Sequence, residues 1–166
     1  MISVISVVPN PIPNLILILG LLLFGFISTA DAQDRIESEH TRHMKSKHSV
    51  ELTVERAKRI AEHNELRVFG VIDHAQNATD AGMELLPTQL IVFGNPAVGT
   101  ELMQANPLIG LDLPLKLLVW EDQDGVVWIS YSTAEAMQKR HNLLEHTKQF
   151  LDTETLLKDL AQAAGQ

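Results

Sequence analysis

The chain has 166 residues, a formal net charge of −8 at pH 7 and no cysteine. This length fits one domain with a short appendage. The negative charge argues against a nucleic-acid partner or an anionic membrane surface, because phosphate binding needs clustered Lys and Arg. The lack of cysteine excludes disulfides, a thiol nucleophile and thiolate metal sites.

The N-terminal segment contains an apolar run at 15–27, followed by the small residues Ala30 and Ala32. The run is short for a bilayer span, and small residues at these two positions are typical of signal-peptidase cleavage. We therefore predict that residues 1–32 are a signal peptide and that the exported chain begins at Gln33, in the periplasm or outside the cell, with no stable membrane span after cleavage. An uncleaved anchor is the alternative, since no Lys or Arg precedes the run.

Residues 33–49 are polar and charged with little apolar periodicity, which predicts a flexible arm. The arm carries His40, His43 and His48 beside acidic residues and a methionine. Imidazoles can hold copper, nickel or zinc, so a metal-carrying arm is one interpretation. The spacing matches no zinc motif, and a solvated linker is the alternative.

The folded domain is predicted from residue 50, where a short strand leads into Thr53 as the N-cap of an amphipathic helix. That helix ends around His63 and Asn64. Residues 66–72 are apolar on both faces apart from Arg67, which predicts a strand with neighbours on each side.

The next elements are a short helix at 75–82 and a strand at 89–93 that stops at a Gly-Asn-Pro turn. A second short helix follows, with Thr100 as its predicted cap, and it ends at Asn106 and Pro107. A strand at 113–120 and a strand at 126–131 are joined by a tight turn at Asp124 and Gly125, which predicts a hairpin.

Ser132 and Glu135 have the spacing of a capping box, which predicts a helix through about His141. Residues 143–166 form a final amphipathic helix that packs on the domain or on a second subunit. The whole pattern predicts a single compact α+β domain at 50–142, with a mixed or antiparallel sheet of about five strands and helices mainly on one face.

Several segments punctuate the apolar strands with Gly, Pro and Asn at fixed places, and they are similar to the domain of unknown function 302 family. These segments are Ile72-Asp73-His74, Leu86-Pro87-Thr88, Phe93-Gly94-Asn95-Pro96, Gly99-Thr100, Leu111-Asp112-Leu113-Pro114-Leu115, Val119-Trp120-Glu121-Asp122 and Val127-Trp128-Ile129-Ser130-Tyr131. The resemblance implies a compact α+β fold and a homodimer. The family has no assigned activity, so the resemblance does not indicate a reaction or a cofactor.

A candidate site arises where two predicted strands end, at Asp73-His74 and at Gly94-Asn95. We expect these ends to lie side by side, near the unpaired amides of a helix beginning at Thr100, which would suit a carboxylate, phosphate or sulfur oxyanion. His74 would then be a proton donor, a general base or a metal ligand. The alternative is that these residues only cap helices and form turns.

Other polar residues add to this site or have structural explanations. Tyr131 lies where the resembling family usually keeps a tyrosine, so its hydroxyl could close one side of a cleft. The acidic stretch that begins at Glu121 fails the EF-hand pattern and is better explained as a charged hairpin tip, and the two tryptophans as cross-strand packing. Arg140 and His141 could approach His74, or could simply favour a helix C-terminus.

Three functional hypotheses follow. The first is a binding or sensing module for a small anionic or metal-containing ligand near His74, Asn95 and Thr100, with Glu121 and Tyr131 beside them. The second is a small acid–base enzyme using His74, and the third is a ligand-free dimeric assembly module. Nucleotide hydrolases, serine esterases and zincins lack their signatures in this sequence, and we favour binding over catalysis.

Overall fold

The structure, a computed structural model, describes residues 40–166. The predicted signal peptide at 1–32 and residues 33–39 of the predicted arm lie outside this range. Within 40–166, none of the helices has the length and apolar character needed to cross a membrane.

The described part of the chain is built on one antiparallel sheet of five strands in the order β1-β5-β4-β3-β2. The strands are β1 (Thr41–Lys45), β2 (Arg67–Asp73), β3 (Thr88–Gly94), β4 (Leu115–Glu121) and β5 (Val127–Ser132). The predicted hairpin is confirmed: β4 pairs with β5, and Gly125 adopts a positive φ of 75° in the turn between them, a conformation that glycine adopts without steric cost.

Within residues 40–166, five α-helices accompany the sheet. They are α1 (Val50–His63), α2 (His74–Asp80), α3 (Pro96–Ala105), α4 (Ala134–Arg140) and α5 (Thr147–Gly165), with 3-10 turns at Pro107–Leu111 and Leu144–His146. Helix α1 packs over β2, β3 and β4, and α5 packs over β1 and β5. The core lies between these helices and alternate sheet residues such as Ile91, Leu117 and Ile129, which are fully buried. The predicted α+β class is thus confirmed.

The predicted flexible arm is wrong for its described part. Strand β1 pairs with β5 along its whole length, and Met44 packs against the core. Helix α1 begins at Val50 with Ser49 as its N-cap, not at Thr53. The Thr53 hydroxyl is buried and donates to the Ser49 carbonyl oxygen at 2.7 Å. The sequence did not predict this strand because β1 has only five residues and Met44 is its one apolar residue.

Strand β2 lies at an edge of the sheet, so the prediction of neighbours on each side is wrong. The side chains of Phe69, Val71 and Ile72 are 47, 38 and 43% exposed. The pairing of β2 with β3 is interrupted by a bulge between Val68 and Gly70, and bulges are common at sheet edges. Apolar residues on both faces of a strand therefore do not require a central position.

The C-terminal helix α5 is part of the domain and not a separate appendage. Phe150, Leu157 and Leu160 are buried in the common core. The Arg56 guanidinium of α1 donates to the carbonyl oxygens of Ala163 and Ala164, each at 2.9 Å. Of the two predicted alternatives, packing on the domain or on a second subunit, these contacts show the first.

Helix α4 is capped one residue later than predicted. Its N-cap is Thr133, whose hydroxyl oxygen accepts the Ala136 amide at 3.2 Å. Ser132 is the last residue of β5, and the Glu135 carboxylate pairs with Lys139 at 2.7 Å. The helix itself was predicted; the capping box was wrong because Thr133 is the adjacent residue with the same capping chemistry.

Candidate functional site

The antiparallel pairing of β2 and β3 separates the two halves of the predicted site. Asp73 is paired with Gln89, and Arg67 is paired with Gly94. We call these two edges the Asp73 end and the Gly94 end of the sheet. The expectation that the Asp73 and Gly94 strand ends lie side by side is wrong, because only parallel strands end at the same edge.

The Asp73 end carries His74 as the first residue of α2. Asp73 is the N-cap of this helix, and its carboxylate accepts the Gln76 backbone amide at 2.8 Å and the Gln89 side-chain amide at 2.9 Å. These two hydrogen bonds lower the pKa of Asp73 below its ordinary value. Asp73 is therefore committed to capping. Glu121 lies at the same end of the sheet on β4, and β3 separates β4 from β2, so the backbones of Glu121 and Asp73 are about 10 Å apart.

The hairpin tip at this end is held together by its own side chains. The Asp122 carboxylate accepts the backbone amides of Asp124 and Val126 at 3.0 and 2.8 Å, and the Trp128 indole N–H at 2.7 Å. The indole and backbone hydrogen bonds lower the pKa of Asp122. Trp120 and Trp128 face each other across the strands with their ring centroids 6.3 Å apart. Asp122 thus has a structural role in the turn, and the predicted cross-strand tryptophan packing is confirmed.

The Gly94 end carries Asn95 and Thr100. Asn95 is the N-cap of α3, and its side-chain oxygen accepts the Ala97 amide at 2.9 Å. Thr100 lies inside α3 and its hydroxyl donates to the Pro96 carbonyl oxygen at 2.7 Å. The predicted helix start at Thr100 is wrong by several residues, because Asn95 followed by Pro96 at the first helical position already starts the helix.

A cleft of about 570 Å³ lies beside α3 at the Gly94 end. Its walls come from the beginning of β2, the turn and helix at 94–103, residues 113–115 before and at the start of β4, and the first half of α5. We call it the α3 cleft. It includes Asn95 and Thr100, whereas His74, Glu121 and Tyr131 do not line it. The structure therefore brings together two of the five predicted ligand-binding residues.

Charge in the α3 cleft comes from two lining residues, Arg67 and Asp152. The Asp152 carboxylate is 2.6 Å from the Lys148 ammonium. The Arg67 guanidinium lies over the Phe69 ring, 5.0 Å from its centroid, and within residues 40–166 it has no carboxylate partner. Arg67 was not among the predicted site residues, although it is the one charged residue in the apolar run at 66–72.

Tyr131 is a buried residue of β5. Burial raises the pKa of its hydroxyl, and the negative charge of Glu154 raises it further. It borders a second cavity of about 430 Å³, together with Asp112, Lys116 and Ser130. Its hydroxyl therefore does not close the α3 cleft as predicted.

His141 is buried and belongs to a hydrogen-bond network with Asp112 and Arg140 that the sequence did not predict. Its Nε2 atom is 2.6 Å from Asp112 Oδ2, and the Arg140 guanidinium donates to both Asp112 oxygens at 2.7 and 2.9 Å. Burial raises the pKa of Asp112, but the hydrogen bonds from His141 and Arg140 outweigh it and lower the pKa overall. Asp112 precedes β4 at the Gly94 end, so His141 and His74 lie at opposite ends of the sheet.

The predicted metal-binding histidines are integrated into the fold. His43 Nδ1 is 2.8 Å from Ser130 Oγ, which also accepts the Trp120 indole N–H at 2.8 Å. The Nε2 atoms of His43 and His48 are buried, and neither has a hydrogen-bond partner within 40–166. The same residue range contains no group of three or more His, Cys, Asp or Glu side chains placed to hold a metal ion. Three-histidine binding by His40, His43 and His48 therefore has no geometric support in the described chain.

Comparison with known proteins gives a family and a fold. The family model described as "Domain of unknown function DUF302" matches residues 42–164. The crystal structure of an uncharacterized conserved DUF302 protein from Bacillus stearothermophilus superposes with a TM-score of 0.70 at 17% sequence identity, covering 76% of this chain and 99% of that one. At this identity the likeness shows the fold alone.

Curated relatives match a shorter segment. The chain is 45% identical over 100 residues to fluoride-specific ion channel FluC 1 of Brucella suis biovar 1 (strain 1330), which is 60% of this chain and 39% of the channel. The match to FluC 2 of Brucella melitensis biotype 1 (strain ATCC 23456 / CCUG 17765 / NCTC 10094 / 16M) has the same identity and covers 37% of that protein. The chain thus matches about two-fifths of the length of these relatives.

Proposed function

The chain belongs to the DUF302 family, and from this premise we propose that it is a binding or sensing module that holds a small anionic ligand in the α3 cleft. The observation that carries the proposal is the cleft itself. Its volume of about 570 Å³ falls in the range of small-molecule sites, which are typically apolar with a few convergent polar groups. The α3 cleft has this composition.

The anionic character of the proposed ligand rests on Arg67. A guanidinium without a carboxylate partner at the rim of an apolar cleft can donate two parallel hydrogen bonds to an oxyanion. The side-chain amides of Asn95 and Gln149 line the same cleft and can add donors. His74 is not part of this proposed site, because it lies at the other end of the sheet.

The two alternative functions have less support. An acid–base enzyme centred on His74 would need partners nearby, but Asp73 is occupied by capping and Tyr131 is buried in another strand. A ligand-free assembly module using the C-terminal helix would need a free apolar face on α5. Phe150, Leu157 and Leu160 of that helix are already buried in the domain's own core.

We also propose, from the sequence, that the protein is exported and works as a homodimer. The N-terminal sequence motivates the first statement and the family resemblance motivates the second. Sedimentation velocity and intact mass of the protein recovered from its own cells test both. A dimer with chains beginning at Gln33 is the expected result, and a monomer or a chain retaining residues 1–32 would contradict the corresponding statement.

A role beside a fluoride channel is a second candidate function. The observation that favours it is the 45% identity over 100 residues with proteins named as fluoride-specific channels. Deleting this chain's coding sequence from its source cell should then lower the fluoride concentration that stops growth, with chloride at equal concentration as the control. An unchanged fluoride threshold would refute this role.

The α3 cleft can be tested with 8-anilinonaphthalene-1-sulfonate, a small apolar anion that fluoresces when it leaves water. Gly99 lines the cleft, and a Cβ added there would be 3.6 Å from the Leu113 side chain, an ordinary contact. Gly99→Trp should therefore fill the cleft without unfolding α3. Ala97→Trp is the matched control, because Ala97 is exposed on the same helix and does not line the cleft.

We expect Gly99→Trp to weaken dye binding at least about tenfold, which corresponds to about 1.4 kcal/mol, and Ala97→Trp to leave it unchanged. Circular dichroism and melting temperature establish that both variants are folded. Equal dye binding by the wild type and a folded Gly99→Trp variant would overturn the proposed cleft site.

A further inference from the structure

We infer that the ligand of the α3 cleft is a monocarboxylate with an apolar body, and that Arg67 binds its carboxylate. This inference rests on the proposed function and names the class of ligand. It follows from three properties of the cleft: the charged residues that line it, the hydrogen bonds that already occupy its backbone amides, and the apolar character of its walls.

The charges favour a single negative charge on the ligand. Among residues 40–166, Arg67 is the one cationic residue that lines the cleft, and it contacts the Phe69 ring rather than an acid. Lys148 does not line the cleft, and its ammonium is 2.6 Å from the Asp152 carboxylate. The charge of a monocarboxylate is matched by the Arg67 guanidinium, whereas the second charge of a dianion such as phosphate finds no further cation among these lining residues.

The backbone amides at the start of α3 do not form a phosphate site. Pro96 has no N–H, the Ala97 amide donates to the Asn95 side chain, and the Gly99 amide donates to the Asn95 carbonyl oxygen at 3.0 Å. Of the first four residues of α3, only Val98 has a backbone amide with no hydrogen-bond partner within residues 40–166. Oxyanion cradles at helix starts use several convergent amides, so recognition here falls to the Arg67 side chain.

The walls favour an apolar ligand body. The lining side chains are predominantly aliphatic or thioether groups, including Leu66, Val98, Leu102, Met103, Leu113 and Leu156. Val98 and Met103 are exposed despite their apolar character. Covering them with an alkyl or aryl group removes apolar surface from water, which a small inorganic anion cannot do.

Octanoate tests the class directly when it competes with the bound dye. Three matched competitors each change one property of octanoate. Octanol removes the charge, octylammonium reverses it, and inorganic phosphate removes the apolar body. We expect octanoate to displace the dye at a concentration at least about tenfold lower than any of the three. In the series butanoate, hexanoate and octanoate, each added methylene should strengthen binding by about fourfold.

Substitutions of Arg67 test whether its guanidinium binds the carboxylate of the ligand. Arg67→Gln should weaken octanoate binding by about tenfold or more. The affinity of Arg67→Lys for octanoate should lie between those of Arg67→Gln and the wild type, because lysine keeps the charge but loses the paired donors. Arg59→Gln is the control, since Arg59 is exposed on α1 and does not line the cleft. Melting temperatures establish that the variants are folded.

The outcomes separate this inference from the function it rests on. If the dye occupies the cleft but octanol or phosphate displaces it as well as octanoate, or folded Arg67→Gln binds octanoate normally, the inference is overturned and the binding function stands. If filling the cleft with Gly99→Trp leaves dye binding unchanged, the binding function itself is overturned.

Discussion

His141 Nε2 lies 2.6 Å from Asp112 Oδ2, and this pair joins the segment before β4 to the C-terminal end of α4. The His141 carbonyl oxygen also accepts the Asn106 side-chain amide at 2.9 Å. The Lys116 ammonium donates to the Asp112 and Pro114 carbonyl oxygens at 2.7 and 2.8 Å. These contacts fix the loop that forms one wall of the α3 cleft, so the network positions the site without lining it.

Asp112→Asn should lower the free energy of unfolding by about 1–3 kcal/mol at pH 7, because it removes a partly buried carboxylate charge that the Arg140 guanidinium and the His141 ring both contact. The folded-state pKa of Asp112 is lowered from 3.8, so its stabilisation is present above pH 3.8 and is lost as the pH falls through the folded-state value. The difference in free energy of unfolding between the wild type and Asp112→Asn should therefore become smaller below about pH 4. Urea unfolding curves recorded across pH 3–7 measure this difference.

Asp124→Asn is the matched control for this prediction. Asp124 is exposed at the hairpin tip, and its replacement should change stability by less than about 0.5 kcal/mol. Equal stability of Asp112→Asn and wild type at pH 7 would show that the network contributes nothing to the fold.

Ser130→Ala should destabilise the sheet by about 1–3 kcal/mol, because the Trp120 indole N–H and His43 Nδ1 both lose their buried hydrogen-bond partner. Ser132→Ala at the exposed end of β5 is the control and should be nearly neutral. Chemical denaturation measures both variants. A neutral Ser130→Ala variant would mean that water replaces the lost oxygen at no cost.

Strand β1 can be tested by truncation. A chain beginning at Gln33 keeps β1, and a chain beginning at Ser49 lacks it while keeping the α1 cap. We expect the shorter chain to be less stable by about 2 kcal/mol or more, because Met44 leaves the core and β5 becomes an edge. Equal unfolding curves for the two chains would contradict the integration of β1 into the sheet.

His74→Ala should leave both ligand binding and melting temperature nearly unchanged, since His74 is remote from the α3 cleft and caps nothing with its side chain. Asn95→Ala provides the contrast: loss of the N-cap should cost about 1 kcal/mol of stability. If His74→Ala lost ligand binding at unchanged stability, the ligand site would lie at the Asp73 end of the sheet.

The fold class could be predicted because strand and helix periodicities are explicit in this sequence. The hairpin at Asp124 and Gly125 and the helix ending at His63 follow from local chemistry, which acts over a few residues. Strand β1 was missed because its pairing with β5 is a contact across most of the chain. The edge position of β2 was missed because apolar residues on both faces are equally compatible with a buried or a bulged, exposed strand.

The candidate site was predicted only in part for a related reason. Asn95 and Thr100 were found from turn and helix signals, and both line the α3 cleft. His74 was assigned to the same place because the sequence does not fix the direction of neighbouring strands, and an antiparallel pairing reverses which ends meet. Arg67 was missed because its place in the site depends on β2, α3 and α5 meeting around one cleft, and local sequence patterns do not show which distant elements meet.

Chemical-shift mapping of the backbone amides during titration with octanoate locates the ligand site residue by residue. We expect the largest shifts at 94–103, 113–115 and 149–156, around the α3 cleft, with little change at His74 or Glu121. Shifts concentrated at the Asp73 end of the sheet, or the absence of saturable shifts, would contradict ligand binding in the α3 cleft.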